Sequence, residues 1–143
     1  MDLRDVKKEI NLLYKKYKTK NPYEIADAMG VIIHKQNLGK CTRGLYYYSR
    51  RIKQIIIHDD LPEWMEKFVL AHELGHLVMH PKYNAPFLQS TLLTKDRYEI
   101  EANAFAAHLL ISDKELEDLW EYSLDDLAMF YGLPREIIEL RLN

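Results

Sequence analysis

Val69-Leu70-Ala71-His72-Glu73-Leu74-Gly75-His76 is the stretch that decides how this chain reads. Apolar residues surround it (Phe68, Leu77, Val78 and Met79), and Asp60-Leu61-Pro62-Glu63 precedes it as a helix start, with an acidic cap and Glu63 at N3. Pro81 disfavours continuation, so the helix is expected to end near His80. Residues four apart on a helix share one face, with Cβ atoms about 5–6 Å apart. His72 and His76 can therefore both reach one ion, at about 2.0–2.1 Å if it is zinc. Glu73 is offset around the axis, where it can hold a water bound to the ion. Zinc lowers the pKa of such a water towards about 7, and the carboxylate takes its proton as it attacks a polarised carbonyl. A half-buried histidine pair on so apolar a helix needs a polar partner, which a metal provides.

A catalytic site of this kind needs a third protein ligand and an open position. His80 lies two turns from His72, about 12 Å along the axis, so the two cannot share an ion on one helix. His80 instead suits the helix C-terminus, where an imidazolium complements the dipole. The better source is the later helix, expected from about Lys95 to Leu110, whose alanines allow close approach. Glu99 and Glu101 compete there. They point about 200° apart, so only one can face the metal. Glu99 shares a stripe with Asn103, Ala106 and Leu110, and Asn103 is placed to orient a ligating histidine. Glu101 shares a stripe with Phe105 and His108, so amphipathicity leaves the choice open.

Further elements follow from local signals. Leu3 to Tyr17 has Val6, Ile10, Leu13, Tyr14 and Tyr17 on one helical stripe. Asn21-Pro22-Tyr23-Glu24 starts a short helix that stops at Gly30. Val31-Ile32-Ile33 reads as a strand, and Gly44–Tyr48 with Ile52–Ile57 as a β-hairpin around Ser49-Arg50-Arg51. Residues 82–94 read as irregular. Ser112 and Ser123 start two more helices, the second ending at Gly132, and Pro134 opens the last. Helices around a small, mainly antiparallel, three-stranded sheet make an α+β fold. The chain is expected to form one unit over 1–143: N-terminal helices 1–30, sheet 31–58, metal-site helices 59–111 and C-terminal helices 112–143.

Composition excludes several classes. Hydrophobic residues are 48% and charged residues 29% of the 143, a globular balance. The formal charge of −2 provides no overall basic field for nucleic acid. Cys41 is the only cysteine, so there is no internal disulfide and no multi-cysteine zinc site. Met1-Asp2-Leu3-Arg4-Asp5 shows no apolar leader, and no apolar run nears the roughly 20 residues of a membrane helix. A reducing, cytoplasmic setting is expected. Ser123 to Leu140 superficially suggests a helix-turn-helix. Its second helix sets only Arg135 and Arg141 against Glu136 and Glu139, which favours a packing element over a DNA-binding one.

Together, Ala71-His72-Glu73-Leu74-Gly75-His76, Glu99-x-x-Ala102-Asn103-x-Phe105-Ala106 and Leu109-Leu110 resemble the ImmA/IrrE family of zinc-dependent metallopeptidases. The closer likeness is to the ImmA-type proteins of phages and mobile elements. It extends over most of the chain, to the ending Ser123-Leu124-x-x-Leu127-Ala128-x-x-Tyr131-x-Leu133-Pro134. The resemblance implies a zincin-like fold, with Glu99 as third ligand beside His72 and His76, Glu73 as catalytic residue and Zn2+ as cofactor. It also implies a partner, a helix-turn-helix repressor cut by the enzyme to release phage or mobile-element genes. Many members keep a proline after the Leu-Leu, where Ile111-Ser112-Asp113 stands here; that alters the helix exit and leaves the site untouched. Two imidazoles and a carboxylate also accept manganese or another divalent ion. A contrasting expectation is a metal-bound antirepressor or sensor that binds without cutting. An edge strand of the hairpin is the expected rest for an extended substrate.

Overall fold

The computed structural model describes residues 3–83 and 85–143. Met1 and Asp2, in the stretch read for a leader, and Asn84, in the stretch read as irregular, lie outside them. The described elements are α1 (Leu3–Tyr17), α2 (Pro22–Ala28), β1 (Ile32–Gln36), β2 (Thr42–Ser49), β3 (Ile52–His58), α3 (Glu63–Met79), β4 (Phe87–Leu88), α4 (Arg97–Leu110), α5 (Asp113–Asp118), α6 (Leu124–Tyr131) and α7 (Arg135–Leu142).

The architecture is α+β, but the sheet has four strands in the order β1-β3-β2-β4, where three were expected. β2 pairs antiparallel with β3 and β4, while β1 runs parallel to β3, so the sheet is mixed. The hairpin turns through Arg50 and Arg51, at φ 52° and 66°. Two successive left-handed residues match the right-handed twist of the strands, although glycine or asparagine usually accepts that conformation.

The fourth strand lies within the stretch read as irregular. It is only two residues long, too short for periodicity to reveal. Phe87 is fully buried, with its ring edge-on to Phe68 at 6.4 Å. Burying that side chain contributes about 2 kcal/mol, which anchors a segment whose few ladder bonds would not hold it.

Gly44, Tyr46, Ile55 and Ile57 are buried on the sheet face that meets α3. A Cβ on Gly44 would come 2.4 Å from Val69 Cγ1, so glycine is what lets the helix lie this close to the strand. The opposite side of α3 packs on α4 through small residues. Ala102, Ala104, Ala106 and Ala107 are fully buried, and a Cβ on Gly75 would already sit 3.1 Å from the Phe105 ring. Buried on both sides, α3 is apolar nearly all round, as a core helix must be.

Helix ends follow their caps in most places. Asn21 Oδ1 accepts from Tyr23 N at 2.9 Å, Asp96 caps α4, Ser112 caps α5, and Ser123 with Asp126 forms a capping box on α6. The start of α3 departs from the expected acidic cap. Pro62 is the N-cap residue and makes no side-chain cap bond, because Asp60 lies two residues too early. Glu63 and Glu66 in the first turn complement the dipole instead. Tyr14 leaves the expected apolar stripe of α1: it is half exposed, with the Lys20 ammonium over its ring.

His108 sits at the end of α4, nearly buried beside α1 and α7. Burial, then the charges of Arg141 and Lys7, push its imidazole down to about 4, against weaker opposing effects of the Leu140 backbone and Asp113. The unfolded chain takes up a proton here near pH 6.5, while the folded chain stays neutral to about pH 4. Stability from this group is therefore complete above about pH 6.5 and declines as pH falls towards 4. Between pH 7 and pH 5 the loss is about 2 kcal/mol. Urea denaturation at the two pH values should show it in the parent chain and a correspondingly flatter dependence in His108→Gln.

Candidate metal centre

His72, Glu73 and His76 face the α3–α4 interface, and all three are essentially fully buried. Across from them stands Glu99, in the first turn of α4 and also buried. One ligand atom each from His72, His76 and Glu99 lies within 4.8 Å of the others. The imidazole Nε2 atoms are 3.1 Å apart, His72 Nε2 is 3.3 Å from Glu99 Oε1, and His76 Nε2 contacts the same oxygen.

Hydrogen bonds behind the rings determine which atoms point inward. Asn103 Nδ2 donates to Thr91 O at 2.9 Å, which turns its Oδ1 towards His72 Nδ1 at 2.8 Å. An amide oxygen only accepts, so His72 carries its proton on Nδ1 and presents a bare Nε2 to the cluster. The second ring is set by a longer chain. His80 Nε2 donates to the Glu101 carboxylate at 2.6 Å, which leaves His80 Nδ1 as acceptor for His76 Nδ1–H at 3.2 Å. His76 Nε2 is thereby bare as well. Two neutral imidazole lone pairs and one carboxylate oxygen converge, the donor set of a divalent cation.

Charges agree with this assignment. Burial, and then the neighbouring His76, lower the pKa of His72 and favour the neutral, ligating imidazole. Burial alone would raise Glu99, but the His72 and His76 side chains that face it outweigh burial and hold the carboxyl at about 2. Glu73 behaves oppositely. Burial, then the Glu99 carboxylate, raises it well above the ordinary range. Neither Glu73 oxygen has a hydrogen-bond partner among the described residues. An unpartnered buried carboxylate costs several kcal/mol and requires a role.

The two glutamates that sequence left in competition are separated here. Glu99 faces the histidines, while Glu101 is turned to His80 and to Arg97, with Arg97 Nε 3.6 Å from Oε1. His80 is the C-cap residue of α3 and lies outside the three-residue cluster. Its link to Glu101 escapes sequence reading, because it depends on how α3 and α4 cross. Tyr83 escapes it too. Its ring lies 5.0 Å from the His76 ring and its hydroxyl donates to Asp96 at 3.4 Å. Among the hairpin tyrosines, Tyr46 is buried and donates to Pro81 O, while Tyr47 and Tyr48 are about half exposed.

The sheet edge beside the cluster belongs to β4. Phe87 meets the His72 ring edge-on at 4.7 Å. β3 is interior, and β2 is partly covered by β4, so the hairpin does not supply the edge nearest the histidines.

The model of the IrrE N-terminal-like domain family, a peptidase family, matches residues 26–143. This chain belongs to that family. The family implies a metal cofactor, and the donor set above fits one. Two relatives extend the likeness over nearly the whole chain. "Uncharacterized immunity region protein 2" of Bacillus phage phi105 is 40% identical over 139 residues, covering 95% of this chain and 88% of the relative. "Metallopeptidase ImmA" of Bacillus subtilis (strain 168) is 29% identical over 145 residues, covering 98% and 85%. The ImmA/IrrE resemblance read from the motifs therefore holds, and with it the α+β, zincin-like fold class.

Proposed function

We propose that this family member is a zinc-dependent peptidase that makes a site-specific cut in a helix-turn-helix repressor. The observation that carries the peptidase part is the convergence of the two bare Nε2 atoms and Glu99 Oε1 beside the unpartnered Glu73 carboxylate. His72, His76 and Glu99 would hold the ion, which when bound polarises a peptide carbonyl and acidifies water. Glu73 takes the proton of the attacking water and returns it to the leaving amine nitrogen. Its raised proton affinity suits that role. Asn103 and the His80–Glu101 pair keep the imidazoles in the ligating tautomer. An extended substrate is expected to lie along the β4 edge, next to Phe87.

The choice of repressor as substrate rests on the likeness to ImmA-type proteins and on the relative named for a phage immunity region. Direct DNA binding has little support. Arg135 is paired with Asp125 and Glu139, and Arg141 is buried, bonded to Ile111 O and Asp113. Among the described residues no helix is long and apolar enough to cross a membrane.

The test is to incubate the purified chain, a divalent ion and the repressor encoded nearest to its gene, and to read the products by mass spectrometry. Two fragments from one bond are expected. An intact repressor held in a stoichiometric complex would overturn cleavage and favour action by binding alone.

A further inference from the structure

Away from the metal centre, the start of α3, the end of α4 and the end of α6 border an apolar groove of about 160 Å³. Trp64, Phe68, Leu110, Ile111, Tyr131 and Leu133 line it. A cavity of about 150 Å³ holds benzene, so this groove takes one large apolar side chain. Aromatic rings continue outward from it. The Tyr131 ring lies 5.0 Å from that of Phe130, and Phe130 meets Tyr122 edge-on at 5.8 Å. Trp64, Tyr122 and Phe130 are 42%, 43% and 58% exposed. Single exposed apolar residues are ordinary, but connected rings leading into an open groove mark a contact surface.

Charge selects the occupant. From Asp113 to Asp126 the chain carries seven carboxylates against Lys114 alone. Asp113 holds Arg141, Asp125 holds Arg135 and Asp126 caps α6, which leaves Glu117, Asp118 and Glu121 exposed. Glu115 brings the charge to the groove, since its Oε2 accepts from the Tyr131 hydroxyl at 2.8 Å. Lys67 is the lining's one cation, with Glu63 one turn earlier on α3. The walls are helical, with backbone groups already bonded, so the ladder that an extended peptide needs is missing here. We propose that this surface docks a cationic amphipathic helix. One of its apolar side chains fills the groove, and its lysines or arginines lie over the rings and towards the carboxylates. A helix that contacts DNA phosphates carries such cations. The docked helix is therefore the repressor's own, a clause that rests on the substrate proposed above. Trp64 is about 12 Å from His72 along the axis of α3. A substrate docked there is held at a fixed distance from the metal centre, which raises the local concentration of its scissile bond.

The test uses the full chain and two synthetic helical peptides with the same leucine pattern, one with lysines on its polar face and one with glutamates. Trp64 is one of only two tryptophans, so tryptophan emission reports docking. The lysine peptide should shift that emission to the blue and bind roughly tenfold or more tighter than the glutamate peptide, with affinity falling as salt rises. The double variant Phe130→Ser/Glu121→Lys, altered only at exposed positions, should lose roughly tenfold or more in peptide affinity and raise KM for the repressor. Leu12→Ser, on the exposed side of α1, should change neither. Equal binding of the glutamate peptide, or binding that survives the double variant, would overturn the proposal. So would self-association in sedimentation that Leu12→Ser removes, because the occupant would then be the lysine-rich α1 of a second copy. A lysine peptide that docks while the repressor stays whole would uphold the surface and remove the choice of substrate. A repressor that the double variant cuts with unchanged KM would remove the docking alone.

Discussion

Glu73→Gln should abolish peptide cleavage and leave metal binding intact. The carboxylate lies beside the cluster but contributes no atom to it, so metal content per chain, measured by elemental analysis, should match the parent. The amide keeps nearly the same volume in a fully buried position but cannot take a proton from water. Loss of a positioned general base costs about 10²–10⁴ in rate, all of it in kcat if the base acts only in the transition state. A second readout separates this role from a structural one. The metal-free variant should unfold at a higher temperature than the parent, because it no longer buries an unpartnered carboxyl that can lose its charge only by taking up a proton. Persistent cleavage by Glu73→Gln would remove Glu73 from the mechanism.

Glu99→Ala and Glu101→Ala should differ sharply in metal affinity, measured by competition with a chelating dye. Glu99 places an oxygen against both imidazoles, so its removal would delete one of the three proposed ligands. Glu101 acts at one remove, by holding His80, which in turn sets the proton on His76. Changes to such supporting partners typically cost about 10–100-fold in affinity. The Glu101 variant should fall in that range and the Glu99 variant well beyond it. The reverse order would mean that Glu101 is the ligand and that α4 is rotated relative to the arrangement described here.

The three-residue centre was unevenly legible. His72, Glu73 and His76 lie within five residues on one helix, and helical geometry alone puts both histidines on one face. Glu99 was only half legible from its own surroundings. Its rival Glu101 is two residues away, and each stripe of α4 carries both polar and apolar residues because the helix is buried nearly all round. Family likeness favoured Glu99, and the crossing of α3 and α4 brings it to the histidines. The His80–Glu101 pair, which gives His80 a role other than the one excluded by its distance from His72, could not be read at all. Neither could β4, since two residues make no pattern, and so the strand whose Phe87 meets the His72 ring escapes sequence reading.

By itself, the sequence determined what is encoded at short range. It set the helix and strand periods, most caps, the Gly30 and Gly132 stops, and the paired histidines on α3. These depend on bonds and contacts a few residues apart, where the chain's own geometry restricts the choice. The tertiary structure decided which face of α4 meets α3, which tautomer each histidine holds, where Phe87 seats its short strand, and which cations gather around His108. Those outcomes are set by packing between segments far apart in the chain, where a single closely fitting arrangement selects among faces that local pattern leaves equivalent.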